Sequence, residues 1–215
     1  MPTFPELLAQ LSFLAATPSA IGALVTAGLL IVFLDWRLSV LALACQFIFA
    51  GLLYSQVLPD APQVAGVKVV VGLLICVQFF VTAQQARRPP AESPPSRSIV
   101  PTGLPFRVIA AAMVAVIAWQ ASLLPELSLP NVSSDVALAT FGLLALGLLG
   151  LGLTEDPLKA GMFLITALTG FELYYASVEP ALAVIGLLAA MDFAVALGAC
   201  YLAIIRGLPD RSEAG

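Results

Sequence analysis

The sequence has no histidine, and only 10% of its 215 residues are charged. Histidine is the commonest metal ligand in proteins and the usual proton carrier near neutral pH, so its absence argues against a metal centre and against His-based catalysis. The nine Lys and Arg residues are dispersed and form no basic stripe, which argues against nucleic acid as a partner. We therefore expect no metal, no cofactor, no nucleic-acid partner and no catalytic residue in this chain.

Cysteine is also scarce, and the three cysteines, Cys45, Cys76 and Cys200, all lie inside apolar segments. A free cysteine in such a segment usually packs as a small hydrophobic residue, so we expect packing rather than a metal or redox role. Single amides lie in comparable segments at Gln46, Gln78 and Gln120. We expect these amides to be interhelical hydrogen-bond donors rather than transport ligands.

Hydrophobic residues, in contrast, make up 60% of the chain and fall in long runs. A run of roughly 20 apolar residues is long enough to cross a bilayer as a helix. The sequence therefore predicts an all-α polytopic membrane protein with about seven transmembrane helices. Polar breaks, many of them with proline, place these spans at about residues 17–34, 38–57, 63–83, 105–124, 135–154, 156–178 and 180–206.

Polar segments divide the predicted chain into five parts. The N-terminal segment, at about residues 5–15, is predicted as an interfacial helix or as an extension of span 1. No internal repeat is strong enough to predict. The five parts are 1–83 (the N-terminal segment and spans 1 to 3), 84–104 (a cytoplasmic linker rich in Pro, Ser and Arg), 105–134 (span 4 and an outer loop), 135–206 (a three-helix module) and 207–215 (a polar tail).

The positive charges predict the orientation of the helices. Eight of the nine cationic residues lie at or beside the turns that follow spans 1, 3, 5 and 7, whereas the other turns hold acidic residues and no Lys or Arg. The positive-inside rule then places the N-terminus outside and the C-terminus in the cytoplasm. The exception is Lys68, about one turn inside span 3, where it either snorkels to the outer face or pairs with a carboxylate in the bundle.

Two carboxylates lie inside the last two predicted spans, Glu172 in span 6 and Asp192 near the middle of span 7. A carboxylate at the centre of a membrane helix costs about 2.5 to 3.5 kcal/mol on insertion scales, so it usually faces a protein interior or a water path. Both are therefore candidates for a proton path, as is Lys68. The structural alternative is that Glu172 is hydrated at the interface and that Asp192 forms a single hydrogen bond.

Helix geometry adds detail to this proton path. With a rise of about 1.5 Å per residue, Glu172 lies about 10 Å and Asp192 about 20 Å below the outer end. The sequence therefore predicts two stations bridged by water or by another polar side chain. Thr166 and Thr169 lie near the face of Glu172 and are candidates to hold such water. Small residues beside Asp192 predict that it faces a neighbouring helix; they are Ala189, Ala196 and Ala199.

With these residues in place, the chain resembles the component E subunits of hydrogenase-4 and formate hydrogenlyase-type complexes. Its last three predicted helices are similar in turn to the K subunit of respiratory complex I and to its small counterpart in multisubunit Na+/H+ antiporters. The resemblance covers most of spans 1 to 3 and 5 to 7. It rests on Arg37-Leu38-Ser39 and Cys45-Gln46 in span 2, Lys68 with its following valines in span 3, and Asp192-Phe193 in span 7.

The resemblance implies a non-catalytic membrane-arm subunit of an ion-translocating oxidoreductase complex in the bacterial or archaeal cytoplasmic (inner) membrane. Its partners would be antiporter-like subunits, subunits of a quinone or hydrogenase module, and the lipid bilayer. Lys68 and Asp192 then become candidates for a line of charged residues that moves protons or Na+.

One departure from the family pattern lies in span 6. Where the family usually has glutamate-asparagine-glycine, this chain has Leu168-Thr169-Gly170. Glu172 lies one turn further on, nearly on the same face as Leu168, and is the candidate replacement. Without that replacement, the subunit would keep only a packing role.

Three interpretations of function follow from the sequence. The first is a membrane-arm subunit that supports proton or Na+ translocation in a hydrogenase-4-like or complex I-like assembly. The second is a purely structural scaffold subunit of such an assembly. The third is an independent small membrane transporter, against which the sequence shows no pair of Gly/Pro-interrupted helices of the kind that marks a substrate site.

Overall fold

The computed structural model describes residues 17–59, 61–86, 103–124, 133–178 and 181–206. The predicted N-terminal segment, the polar tail, and most of the linker and the outer loop lie outside these described residues. The described residues form seven helices and no strand. The helices are α1 (Thr17–Val32), α2 (Trp36–Val57), α3 (Pro62–Ala86), α4 (Leu104–Leu123), α5 (Ser134–Gly152), α6 (Pro157–Val178) and α7 (Leu182–Arg206).

Six of these helices, α2 to α7, are long and apolar enough to cross a membrane. The protein is therefore an all-α polytopic membrane protein, as predicted. The remaining helix, α1, has 16 residues in the described part of the chain, fewer than the roughly 20 of a typical span. The orientation of the bundle relative to the cytoplasm stays a prediction.

The ends of α1 nevertheless lie level with those of α5. At its start, Thr17 Oγ1 lies 3.2 Å from Asp135 Oδ2, in the first turn of α5. Just past its end, the carbonyl of Phe33 accepts a hydrogen bond from Lys159, in the first turn of α6, close to the end of α5. Helix α1 therefore runs parallel to α5 and covers the same height of the bundle.

The other helices of the two halves are also parallel, α2 to α6 and α3 to α7. In each pair, two contacts are known, and the one that lies later in the first helix also lies later in the second, as in parallel helices. The contacts are Gln46 with Thr166 and Tyr54 with Glu172 between α2 and α6, and Lys68 with Asp192 and Gln78 with Cys200 between α3 and α7.

Helices α1–α3 and α5–α7 thus form two rows with the same order and direction. Helices α2 and α6 have 22 residues each, and α3 and α7 have 25 each. The first turns of α2 and α6 are also capped alike, since the Asp35 and Asp156 carboxylates each accept from the backbone N–H two residues on, at 3.0 Å. Helix α4 connects the two rows in the chain. It returns the chain to the end of the bundle at which α1 begins, so that α5 begins at that end as well. The sequence alone predicts no repeat because little beyond these caps is shared.

Glycines allow α5 and α6 to approach closely. A Cβ atom added at Gly147 of α5 would lie 2.6 Å from the backbone nitrogen of Ala167 on α6. One added at Gly170 of α6 would lie 2.8 Å from the backbone nitrogen of Leu144 on α5. Small residues at such positions are what permits tight helix contact in membranes, and this seam holds α6 in place for the site described below.

We expect Gly147→Ala to destabilise the protein by about 1 to 3 kcal/mol, because the new methyl group meets backbone that cannot rotate away. The measurement is the free energy of unfolding in mixed detergent and SDS micelles. The matched control is Gly186→Ala in α7, where an added Cβ has nothing within 4 Å and the change improves helix propensity. Equal stability of the two variants would contradict the close packing of α5 on α6.

Cationic side chains gather at one end of the bundle. Lys159 Nζ donates to the carbonyl of Phe33 at 2.6 Å, and Arg107 donates to the carbonyl of Leu153. Arg206 at the end of α7 donates to the carbonyl of Glu155. We call this the cation-rich end and define it by Arg37, Arg107, Lys159 and Arg206. The bonds connect the ends of five helices, α1, α4, α5, α6 and α7, and segregate charge in the way that the positive-inside rule uses.

Candidate functional site

The three charged residues predicted for a proton path meet at one point inside the bundle. Lys68 on α3 forms ion pairs with Glu172 on α6 and with Asp192 on α7, the latter at 2.6 Å between Nζ and Oδ2. The side chains of Lys68, Glu172 and Asp192 are 3%, 2% and 0% exposed. We call these residues the buried triad. Lys68 therefore pairs within the bundle rather than snorkelling, and Glu172 is not at a hydrated interface.

Tyr54 at the end of α2 completes the first layer around the triad. Its hydroxyl lies 3.3 Å from Glu172 Oε2, the oxygen that also contacts Lys68. Tyr54 is itself fully buried. Four helices, α2, α3, α6 and α7, therefore each contribute one polar side chain to the site.

The predicted separation of Glu172 and Asp192 into two stations is wrong. Both carboxylates bind the same Lys68 nitrogen, so no gap of about 10 Å lies between their oxygens. The prediction counted residues from a shared turn, as if both helices were perpendicular to the membrane, and it ignored the reach of the side chains. The bridging polar side chain that the sequence left as an alternative to water is Lys68.

The face of α7 that carries Asp192 packs inward as predicted. Asp192 is directed at α3, and Ala196 and Ala199 on the same side are buried, whereas Ala189 is half-buried. A Cβ added at Gly161 of α6 would clash with the Ala199 methyl group, so these small residues bring α7 close to α6. The short side chains explain how the Asp192 carboxylate reaches the centre of the bundle.

The charges of the triad do not cancel when all three groups are ionised. One ammonium faces two carboxylates, which leaves one net negative charge in apolar surroundings. Such a charge is costly in low dielectric, and binding one proton neutralises it. The Lys68 ammonium already occupies the position between the carboxylates that a metal cation would take. The geometry therefore suits reversible protonation better than binding of a metal ion.

The two candidate threonines lie on α6 below Glu172, toward the cation-rich end. Thr166 Oγ1 lies 3.3 Å from both Nε2 and Oε1 of Gln46 on α2 and 3.0 Å from the carbonyl of Met162. Thr169 Oγ1 donates to the carbonyl of Ile165 on its own helix. Both hydroxyls are buried, and their hydrogen bonds go to Gln46 and to carbonyls of α6 rather than to the triad. Gln46 forms the interhelical bond expected of it.

Several buried polar atoms near the site have no hydrogen-bond partner among the described residues. They include Glu172 Oε1, Asp192 Oδ1 and Thr140 Oγ1. Buried polar groups are nearly always satisfied in native proteins, by ordered water where the protein offers no partner. The triad therefore has unused hydrogen-bonding capacity on both of its carboxylates.

Tyr54 was not predicted as part of the site, and Gln46 was predicted only as a structural amide. A tyrosine near a span end is typical of the aromatic belt at the membrane interface, so its position gave no signal for an inward hydroxyl. The signal for Gln46 is its spacing, because it lies eight residues before Tyr54 on a helix parallel to α6. That spacing is informative only once the pairing of α2 with α6 is known.

Known proteins provide no further guide to this site. No family model, curated protein or solved structure matches the chain. Neither family nor function therefore follows from similarity, and the geometry of the buried triad is the basis for assigning one.

Proposed function

We propose that this chain is a non-catalytic membrane subunit that supports proton translocation in a larger energy-converting assembly. The observation that carries the proposal is the buried triad, in which Lys68 bridges Glu172 and Asp192 between three helices. Ionisable residues inside a membrane bundle are costly and usually mark an ion path. The assembly would be of the hydrogenase-4 or complex I type that the resemblance in spans 2, 3 and 7 implies.

The proposed roles follow from the contacts of each residue. Glu172 and Asp192 are the groups that take up and release the proton. Lys68 holds the two carboxylates together and limits the negative charge when the proton leaves. Tyr54 donates to Glu172 and so fixes the orientation of that carboxylate.

A structural scaffold role is the second candidate, and one observation favours it. Lys68 contacts both carboxylates and Tyr54 contacts Glu172, so the network connects four helices whether or not a proton moves. Buried ion pairs can serve fold specificity alone. Substitutions that keep the fold but remove protonation therefore decide between the two candidates.

Membership in an assembly is tested by purification. The tagged chain is solubilised in a mild detergent, and the proteins retained at stoichiometric yield are identified by mass spectrometry. Antiporter-like subunits with hydrogenase or quinone-module proteins are the expected result. A chain that purifies alone, as a monomer or homo-oligomer, would overturn the proposed membership, and transport by the isolated protein would then be the function to test.

Translocation is tested with Glu172→Gln, which keeps the shape of the side chain and removes its charge. We expect proton uptake to fall at least about tenfold, because a proton-carrying group is lost from the path. The assay uses inside-out membrane vesicles, a pH-sensitive dye and the substrate of the redox subunits that co-purify. Glu155→Gln, in an exposed turn at the cation-rich end, is the matched control. Normal uptake by an assembled Glu172→Gln complex would favour the scaffold role.

A further inference from the structure

Polar groups continue from Glu172 along the seam between α6 and α2. Thr169 and Thr166 follow at three-residue steps on α6, each step being about 4.5 Å along the helix axis. Thr166 pairs across the seam with Gln46, which is fully buried. Thr169 lies between Thr166 and Glu172 both in height and in direction around the helix, so the three residues form one continuous stripe.

Two buried side-chain oxygens without partners lie at the height of this stripe. Glu172 Oε1 lies at its upper end and lacks a partner among the described residues, as does Thr140 Oγ1 on α5. Thr140 is level with the middle of the stripe, since a Cβ added at Gly170 would lie 2.9 Å from its carbonyl oxygen. Buried polar atoms of this kind are usually satisfied by ordered water, so the Glu172 carboxylate and the Thr140 hydroxyl are each suited to bind a water molecule.

The stripe points toward the cation-rich end. One turn below the Gln46 and Thr166 pair, Leu43 and Met162 are fully buried and apolar. Below them, Lys159 Nζ and Ser39 Oγ both lie within hydrogen-bond distance of the Phe33 carbonyl. Toward the opposite end, by contrast, the buried residues of α6 beyond Glu172 are only Leu173 and Ala176.

We propose that Gln46, Thr166 and Thr169 are positioning residues for a water-lined proton route from the cation-rich end to Glu172, closed at rest by Leu43 and Met162. The inference rests on the proposed function, since it names the side from which the triad exchanges its proton. The two hydroxyls and the amide do not titrate. They orient water between the carboxylate and the polar mouth at Lys159.

The route is tested by the access of Ag+ to cysteines placed along it. The chain stays in its native membrane assembly, with Cys45→Ala, Cys76→Ala and Cys200→Ala removing the three free thiols. Thr166→Cys, which is nearly isosteric, is then exposed to Ag+ in chloride-free buffer in sealed vesicles of each orientation. Unreacted thiol is counted with a fluorescent maleimide after denaturation in SDS.

We expect Thr166→Cys to react at least about tenfold faster from the cation-rich face than from the opposite face, because thiol reactivity requires access and ionisation in water. Thr169→Cys should react from the same face. It replaces Thr166→Cys as the test variant if Thr166→Cys does not accumulate in the membrane. Leu164→Cys is the control for lipid exposure, being 36% exposed on the outer surface of α6. Thr26→Cys is the control for a buried threonine outside the proposed route, since Thr26 lies on α1 and donates to carbonyls of that helix. Neither control should react.

Closure is tested by adding Met162→Ala to the Thr166→Cys chain. Removing the side chain that closes the route should raise the reaction rate several-fold from the cation-rich face only. Met191→Ala, which truncates a methionine 42% exposed on α7, is the matched control and should leave the rate unchanged.

Rates at Thr166→Cys and Thr169→Cys that equal those of the two controls, or that are faster from the opposite face, would overturn the proposed route. Labelling does not depend on pumping, so the two proposals fail separately. Sided labelling together with normal proton uptake in Glu172→Gln would keep the water route and reject translocation. Loss of uptake in Glu172→Gln without labelling would keep translocation and reject the route.

Discussion

Lys68→Met is expected to lower the free energy of unfolding by about 3 to 5 kcal/mol, because it leaves two buried carboxylates facing each other without a counter-charge. Methionine has nearly the length of lysine, so the loss does not come from an emptied volume. The measurement is unfolding in mixed detergent and SDS micelles, together with the yield of assembled protein in the membrane.

The charge origin of this loss is checked by a second substitution. Asp192→Asn in the Lys68→Met chain removes one of the unpaired carboxylates and should recover a substantial part of the lost stability. Contacting residues of one network are expected to be non-additive by about 0.5 to 3 kcal/mol in such a cycle. Strict additivity of the two substitutions, or a cost of Lys68→Met below about 1 kcal/mol, would mean that the ion pairs contribute little in the bilayer.

The helices were predictable because the apolar runs and their polar breaks are explicit in the sequence. The Asp35 carboxylate marks the start of α2, and the described helices begin and end close to the predicted spans. Helix α3 continues to Ala86, three residues past the predicted end, because Gln84 and Gln85 are good helix formers that need no lipid contact. Local chemistry therefore accounts for most of the secondary structure.

The members of the triad were also predictable, but their arrangement was not. The cost of placing Glu172 and Asp192 in apolar runs singles them out in any reading of the sequence. Which helices lie side by side depends on packing, and that packing depends on contacts such as Gly147 against Ala167. The position of a glycine in a membrane helix does not predict which neighbouring helix packs against it. The choice of Lys68 between snorkelling and pairing was open for the same reason.

The parallel pairing of the two rows explains how one lysine serves two carboxylates. Because α3 lies beside α7, Lys68 reaches Asp192 directly. Because α2 lies beside α6, Tyr54 and Gln46 meet Glu172 and Thr166 at two successive heights. The first row therefore supplies the cation and the hydrogen-bonding groups, and the second row supplies both acids. A site divided in this way exists only when the two rows are packed together.

Replacing the whole site by apolar residues is expected to preserve the fold and abolish proton uptake. The variant combines Lys68→Met, Glu172→Leu, Asp192→Leu and Tyr54→Phe, the last because the tyrosine hydroxyl would otherwise lose its partner. Exchanging a buried ionic network for well-packed apolar side chains is often neutral or stabilising by about 1 to 4 kcal/mol. The same four helices would then pack without any desolvated charge.

The comparison with Lys68→Met alone makes this variant decisive. If the triad translocates protons, the apolar variant assembles with its partners, and its free energy of unfolding is at least that of the unaltered protein. Proton uptake in energised vesicles nevertheless falls to background. Normal uptake by the apolar variant would show that the triad is dispensable for translocation and would reject the proposed role. A chain that no longer assembles would show instead that the charges specify the packing of α3, α6 and α7. The costly buried triad is then explained by function in the first case and by fold specificity in the last.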